Sequence, residues 1–390
     1  MARLLFFASD MSEIAQIRRI RSLQQAGHAV SSISMTKGAS VRIARPDWPN
    51  LDLGPIAEER LVRRAWRVLR SLPRLWRARG LLRDADLLIA RNLDMVLLAL
   101  VARRLAGCQG PVVYECLDIH AVLSGASTRA RVLRWVERQV LRQVALLVVS
   151  SPGFLRGHFT MRQHYAGPHL VLENKLWLTP GVPPRPAADT IPRVTDRLHL
   201  AWVGAIRCRA SLDLLLATAA LLPDRLHIHI HGTVHRHAIG DLEARLRGVP
   251  NVTCHGPYDW PAGLARIYTD NDLVWAQDLW QRGKNSDWLL PNRLYEAGWF
   301  GCPAIACTTT QTGRKIVADG LGYTIDSPTP AALADLLASL DHAALAEKRA
   351  AILARPAEIF GTTGQEAASM VDDVLGARKA VAGQPDTPAR

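Results

Sequence analysis

The chain has 390 residues, 48% hydrophobic and 21% charged, an ordinary globular balance at a length that favours two domains over one. No apolar run approaches the ~20 residues that span a bilayer, and the opening MARLLFFASDMSE holds too short an apolar run for a signal h-region of ~7–15 residues, so a cytoplasmic protein is expected. Net charge is +13, with 27 Lys and Arg against 13 Asp and Glu in residues 1–178 and 21 against 22 in the remainder, so the excess lies in the half expected to meet an anionic surface or ligand.

Residues 3–9, RLLFFAS, form a continuous apolar run bounded by Asp10, as in a strand buried on both faces. A helix over Ile14–Gln25 and a strand over Ala29–Met35 complete a βαβ opening that lacks G-x-G-x-x-G. Residues 39–57 are Pro-rich and are expected to be irregular. Between Glu59 and Asp84, Leu61, Ala65, Val68, Leu69 and Leu72 recur at helical spacing. The arginines from Arg60 to Arg83 crowd around them, Trp66 and Trp76 are interleaved, and Pro73 should kink the helix. Such a segment suits an anionic membrane interface, and it also suits a solvated helix packed through its apolar stripe. No DNA- or RNA-binding motif accompanies it, so nucleic acid is not expected as a partner.

Asp86–Ala90 reads as a strand, with Arg91 and Asn92 at its carboxyl end and a helix over Leu93–Leu105. Pro111–Cys116 is a further strand, followed by Leu117-Asp118-Ile119-His120. Strand carboxyl ends line the ligand crevice of open α/β sheets, which places Asp118 and His120 for chemistry; a capping Asp and a surface His fit the same spacing. A basic helix over Thr128–Arg142 leads to a strand over Leu146–Ser150. His169–Leu172 then leads into Glu173-Asn174-Lys175. Residues 179–197 are dense in Pro and form the expected linker.

After the linker the βα alternation restarts. Leu198–Val203 is a strand, Gly204–Arg209 a loop, and Ser211 the expected cap of a helix over Leu212–Leu222. Leu226–His231 is a strand ending in Gly232. Val252–His255 is a strand followed by Gly256-Pro257-Tyr258, with a helix over Leu264–Tyr268 and a strand over Leu273–Ala276. The stretch from Lys284 to Ala306, KNSDWLLPNRLYEAGWFGCPAIA, reads as a polar loop, a helix from Pro291 to Phe300 stopped by Gly301, and a buried strand. A helix start and a strand end meeting at a polar loop can hold an anion and a ribose, and Arg293 and Glu296 suit such a ligand. Spacing alone fits an ordinary αβ corner with solvated charges equally well. Helices are expected over Pro330–Leu340, Leu345–Leu353 and within 358–379, with a disordered tail over 380–390. The six cysteines show neither C-x-x-C nor zinc spacing and read as reduced buried thiols.

This order resembles the GT-B glycosyltransferases, specifically glycosyltransferase family 4 of the bacterial exopolysaccharide-assembly type, over most of Met1–Asp326. NRLYEAGWFGCPAIA looks like that family's helix, in which an acidic residue precedes small residues, Gly, Pro and a strand. WVGAIRCRASLDL resembles its glycine loop with a basic residue, and Asn251–Tyr258 resembles the segment beside the nucleotide base. The resemblance implies an α/β GT-B fold: two doubly wound Rossmann-like domains facing across a cleft. Residues 1–178 would be the acceptor-side domain and 198–357 the nucleotide-sugar domain, with a helix over 358–379 that can return to the first.

The resemblance also implies roles. Glu296 would bind the ribose hydroxyls. Arg207 or Arg209, helped by Lys284 or Arg293 and by amides near Asn292, would neutralise the diphosphate; Asn285, Tyr258 and Gly232 complete the donor side. His120, with Asp118, would approach the transferred sugar, with Asn92 and Asp10 on the acceptor side. No cofactor or metal is expected. The family's earlier Glu, eight positions before Glu296, is Trp288 here, with Asp278, Asn285 or Asp287, or backbone groups, as the alternatives to it; Ser9-Asp10-Met11-Ser12 stands where its first glycine-rich loop would be. The expected function is retaining transfer of a sugar from a nucleotide-sugar donor to a lipid-linked or growing polysaccharide acceptor. The basic half would dock through Arg60–Arg83 on the inner face of the cytoplasmic membrane. The alternatives are a GT-B sugar-nucleotide epimerase, which needs further acid/base carboxylates, and a non-catalytic membrane- or nucleic-acid-binding protein.

Overall fold

The computed structural model describes residues 1–11, 13–37, 46–56, 70–71, 73–189 and 195–382. They divide into two units. The first takes in Met1–Ser150, Phe154–Leu172 and the chain from Thr363 onward; the second takes in Ser151–Gly153 and Glu173–Thr362.

The first unit is built on a parallel sheet of seven strands: β1 (Arg3–Ala8), β2 (Ala29–Lys37), β3 (Asn50–Ile56), β4 (Leu87–Arg91), β5 (Val112–Cys116), β6 (Leu146–Val149) and β7 (His169–Val171). Their order is β3-β2-β1-β4-β5-β6-β7. The apolar run of β1 is central because both faces are covered: Phe6 lies level with Ser32 of β2 and Ile89 of β4. Helices Ile14–Gln25 and Gln365–Ala382 pack together, and Ile20, Leu23, Met370 and Val371 enter one core with Leu4 and Phe6. Helix Leu93–Ala106 packs on β4 and β5 and on its neighbours Arg79–Arg83 and Thr128–Leu141.

Two expectations change here. Residues 39–57 are not irregular throughout, since Asn50–Ile56 forms β3. It is an edge strand, where Pro is tolerated, and Asn50 Oδ1 ties it to β2 by accepting from the Ser32 and Ser34 hydroxyls at 2.7 and 2.9 Å. The boundary expected after Leu178 falls after Leu172. The cause is a strand pair, described below, that draws residues 176–178 into the second unit. Four of the arginines on which the membrane expectation rests, Arg60, Arg63, Arg64 and Arg67, lie outside the described residues, as do residues 190–194 of the linker.

The second unit opens with β8 (Leu176–Trp177). It continues through β9 (Leu198–Val203), β10 (Leu226–His231), β11 (Val252–Gly256), β12 (Leu273–Trp275), β13 (Ala304–Cys307) and β14 (Gly322–Ile325), and closes with β15 (Gly361–Thr362). β8 and β15 pair in parallel, with Leu176 N donating to Phe360 O at 2.8 Å. The main sheet is parallel, in the order β11-β10-β9-β12-β13-β14. Its strand order reverses between β9 and β12, and a ligand crevice is expected outside the carboxyl ends of those two strands. Trp202 and Trp275, both fully buried, anchor one side of this sheet with Leu212, Leu215 and Leu333. Among the described residues no helix is long and apolar enough to cross a membrane.

Candidate active site

Pro291 holds an extended conformation (φ −76°, ψ 147°), so the helix after β12 begins at Asn292 rather than at Pro291 and runs to Trp299. Gly301, at φ +74°, turns the chain out of it, as glycine does after a helix. Glu296 lies on the buried side of this helix, 5% exposed, and accepts a hydrogen bond from the Tyr268 hydroxyl at 3.0 Å. Burial, reinforced by the Glu296 charge, pushes the Tyr268 phenol well above its usual range, so it remains a donor.

Arg293 sits at the crevice. Its Nε donates to Ala276 O at 3.1 Å, Nη2 to Gln277 O at 3.1 Å and Nη1 to Val203 O at 3.4 Å. One guanidinium therefore joins the carboxyl ends of β9 and β12. Burial pulls its pKa below the usual value, opposed first by Asp278. Three of its five donors are spent on carbonyls, a structural commitment that spacing does not reveal.

The ends of β9, β10 and β11 are glycines with positive φ: Gly204 at +120°, Gly232 at +138° and Gly256 at +73°. Gly204 N donates to His231 O at 2.9 Å and Gly232 N to Gly256 O at 2.7 Å. A Cβ at Gly232 would overlap the Gly204 carbonyl, so only glycine fits there. Together they form a rim of bare backbone. Beyond it, the exposed Arg207 guanidinium has no hydrogen-bond or ion-pair partner among the described residues. Arg209 instead lies 4.0 Å from Asp213, one turn along its own helix, Arg209–Leu221. That helix starts two residues before Ser211, because Cys208 Sγ accepts from Ser211 N at 3.3 Å; Ser211 is wholly buried in the first turn and is not the cap.

The loop before the helix is held by its own carboxylates. Asp278 Oδ1 accepts from Trp280 N at 2.7 Å, and Asp287 Oδ2 from Gly283 N at 2.9 Å. Fully buried Gln277 joins β12 to the end of β13, accepting from Cys307 N at 3.1 Å and Thr310 Oγ1 at 3.0 Å. Asn285 is buried and opens a short helical turn, Asn285–Trp288, where an open loop was expected. Lys284 and Asn292 are exposed and Tyr258 is half-buried. The Trp288 carbonyl accepts from Ser151 Oγ, and Gly153 packs too closely on Trp288 for any side chain. Glu173 pairs with Lys315 at 3.1 Å, and Lys315 also reaches Asp319 at 3.0 Å.

In the first unit, Ser9, Asp10, Asn92, Asp118 and His120 follow the ends of β1, β4 and β5. Asn92 takes φ 73°, donates its amide N–H to Glu115 O at 3.0 Å and its Nδ2 to Ser9 Oγ at 3.2 Å. Asp10 is buried, whereas Asp118 and His120 are exposed, and His120 Nδ1 accepts from Val122 N at 3.3 Å. Beneath them lies a buried ion triad that the sequence reading missed. Arg91 meets Glu115 at 2.8 Å and Arg19 meets it at 2.9 Å. Burial raises the Glu115 pKa, but the Arg91 and Arg19 charges outweigh it and hold the carboxyl below its usual value. The available signal was one charge inside each apolar strand, LLIAR and VVYEC.

No family model matches the chain. It is 33% identical over 342 residues to the succinoglycan biosynthesis protein ExoL of Rhizobium meliloti (strain 1021), covering 87% of this chain and 85% of that one. Its fold is similar to sucrose-phosphate synthase from Thermosynechococcus elongatus, with TM-score 0.71 and 15% identity over 97% of this chain and 100% of that one. It is similar also to Anabaena HepE, solved with UDP and glucose, with TM-score 0.68 and 14% identity over 96% of this chain and 100% of that one. The chain belongs to the family of the succinoglycan biosynthesis protein ExoL, on the fold of the GT-B glycosyltransferases.

Proposed function

We propose that the chain is a retaining glycosyltransferase of the family 4 type. It would transfer a sugar from a nucleotide-sugar donor to a lipid-linked or growing polysaccharide acceptor on the inner face of the cytoplasmic membrane. The observation that carries the reading is the placement of Glu296. It is a buried carboxylate fixed by Tyr268, in a helix that starts where a glycine rim and an Arg293-braced strand pair converge. A carboxylate there suits ribose hydroxyls, and bare amides with the helix start suit a diphosphate. Arg207, exposed and unpaired among the described residues, is the better placed of the two loop arginines to meet that charge; Arg209 has Asp213. Lys284 and the amides near Asn292 add to it, and no metal is then needed.

In the front-face displacement, the bond from the sugar anomeric carbon to the leaving phosphate breaks as the acceptor oxygen attacks from the same side. The acceptor proton passes to the departing phosphate oxygen. Negative charge grows on the diphosphate, so cations and amides aimed at it act mainly on the transition state. His120 and Asp118 are assigned to the transferred sugar, and Asn92 and Asp10 to the acceptor side. HepE was solved with UDP and glucose, which makes UDP-sugars the first donors to try.

The test is a thermal-shift screen of nucleoside diphosphates and their sugars, followed by transfer assays with and without chelator. A donor well above its dissociation constant should raise the unfolding midpoint, and Glu296→Ala should abolish that response. A protein that answers to none of them overturns the reading. Chelator-sensitive turnover overturns metal independence.

A further inference from the structure

Among the described residues, and apart from the terminal Met1 and from Met161, 72% exposed just after the helical turn Leu155–Thr160, the large apolar side chains that the first unit leaves exposed gather on one layer. Val101 and Leu105, each 43% exposed, lie on helix Leu93–Ala106; Val132 and Trp135, 54% and 57% exposed, lie on its neighbour Thr128–Leu141. Trp76, half exposed, belongs to the segment before helix Arg79–Arg83, which also packs on Leu93–Ala106. Among the described residues, helices Ile14–Gln25 and Gln365–Ala382, which pack together elsewhere in this unit, expose no large apolar side chain.

The charge nearest these residues is positive, and the one carboxylate of helix Leu93–Ala106, Asp94, lies in its first turn, two turns from Val101. Arg104 stands between Val101 and Leu105, and Arg131 and Arg142 flank Val132 and Trp135 at helical spacing. No carboxylate pairs with any of the three among the described residues. Arg131 reaches only the Thr128 hydroxyl at 3.3 Å, and Arg142 only the Gln139 amide oxygen at 3.1 Å. The sole acidic residue of helix Thr128–Leu141, Glu137, is turned inward onto Tyr114 and His158 at 3.1 and 2.6 Å. Exposed apolar patches rimmed by polar groups mark interaction sites, membranes among them.

We propose that this helical layer is a docking surface for an anionic lipid bilayer, with Trp135 and Val132 entering the interface and Arg104, Arg131 and Arg142 meeting lipid phosphates. The layer takes in Trp76 and helix Arg79–Arg83 of the Arg60–Arg83 segment and extends it onto two further helices, and the proposal deepens the reading that the acceptor is lipid-linked. Indole suits the headgroup level, and arginine stems lie along apolar surface while their heads remain wet. The charge is uncompensated and of the sign that anionic lipid attracts.

The experiment is flotation of the full-length protein with vesicles of phosphatidylcholine alone and of phosphatidylcholine with phosphatidylglycerol, at low and high salt. Binding is expected only with phosphatidylglycerol, with release at high salt. Arg131→Gln and Arg142→Gln should each lower partitioning about fivefold. Trp135→Ala with Val132→Ser should lower it further at an unchanged unfolding midpoint. Indifference of the wild-type protein to phosphatidylglycerol overturns the proposal, as does a double variant that partitions like wild type. If Trp135→Ala instead dissolves a dimer in sedimentation velocity and leaves vesicle binding intact, the surface joins two copies of the chain and the proposal fails. The donor thermal shift, read without lipid on the same samples, tests the transferase reading separately.

Discussion

The Tyr268 hydroxyl donates to the Glu296 carboxylate at 3.0 Å, and this bond joins helix Leu264–Thr269 to helix Asn292–Trp299 inside the second unit. Hydrogen bonds to a charged group are worth about 1.5–3 kcal/mol, and leaving a buried carboxylate short of a donor costs its desolvation as well. Tyr268→Phe keeps the ring and removes only the donor. Unfolding in urea should show a loss of that size, and donor affinity should fall with it as Glu296 loses its orientation. Unchanged donor affinity in a destabilised Tyr268→Phe protein would separate this bond from ligand binding and reduce it to scaffold.

Arg293 allows a sharper comparison. Its fork reaches Ala276, Gln277 and Val203 carbonyls together, which the compact ammonium of lysine cannot do. Arg293→Lys should therefore destabilise nearly as much as Arg293→Met, by about 2–4 kcal/mol, since both leave buried carbonyls unpaired. Chemical denaturation of the two variants checks it. A lysine variant as stable as wild type would mean that the charge matters and the fork does not.

These residues show what a sequence discloses. β1 and β9 are legible because continuous apolar runs have few other fates, and Glu296 is legible because it shares a helix with the small residues that bury it. The use made of Arg293 is not, because its acceptors lie at Val203 and Ala276, in strands that only the folded topology brings together. The same holds for Arg91 and Glu115, each visible as an odd charge in its strand, whose pairing depends on β4 lying beside β5. Asn50–Ile56 was hidden by Pro55, which an edge position tolerates. Cys208 took the capping role expected of Ser211 because the chain turns into the helix three residues earlier than the hydroxyl suggests.

Gly232→Ala tests the backbone rim. The position has φ +138°, and a Cβ would meet the Gly204 carbonyl oxygen, a backbone atom that cannot swing away. The substitution should cost at least about 1–3 kcal/mol in strain and open the contact between the ends of β9 and β10. Gly248→Ala, at φ +87° with open space around it, supplies the control for conformational strain alone. Loss of donor response in Gly232→Ala but not in Gly248→Ala, at matched temperature below both midpoints, is the expected result. Equal behaviour of the two would show that the close approach is immaterial.

The last prediction concerns pH. His227, His229 and His231 alternate on β10, and His199 and His255 join them from β9 and β11. His199 Nδ1 lies 2.8 Å from His229 Nε2, and His229 Nδ1 lies 2.9 Å from His255 Nε2. Burial, then the neighbouring imidazoles, lowers His229 to about 3 and His231 to about 4. Arg266 faces His231 and His255, and Arg197 faces His227; each works in the same direction. In the unfolded chain these groups titrate near ~6.5, so on acidification the unfolded state binds protons that the folded state refuses. The stability of the second unit is therefore full above about pH 6.5 and falls as pH drops from there toward 4 and then 3. Between about pH 6.5 and 5 most carboxylates stay ionised, so the slope there reports the histidines. Proton uptake on unfolding should approach about two from His229 and His231 together. Urea unfolding across this window should show a steadily falling midpoint, and His229→Gln should flatten it. A midpoint constant from pH 7 to 5 would show that the row takes up protons without opposing the fold.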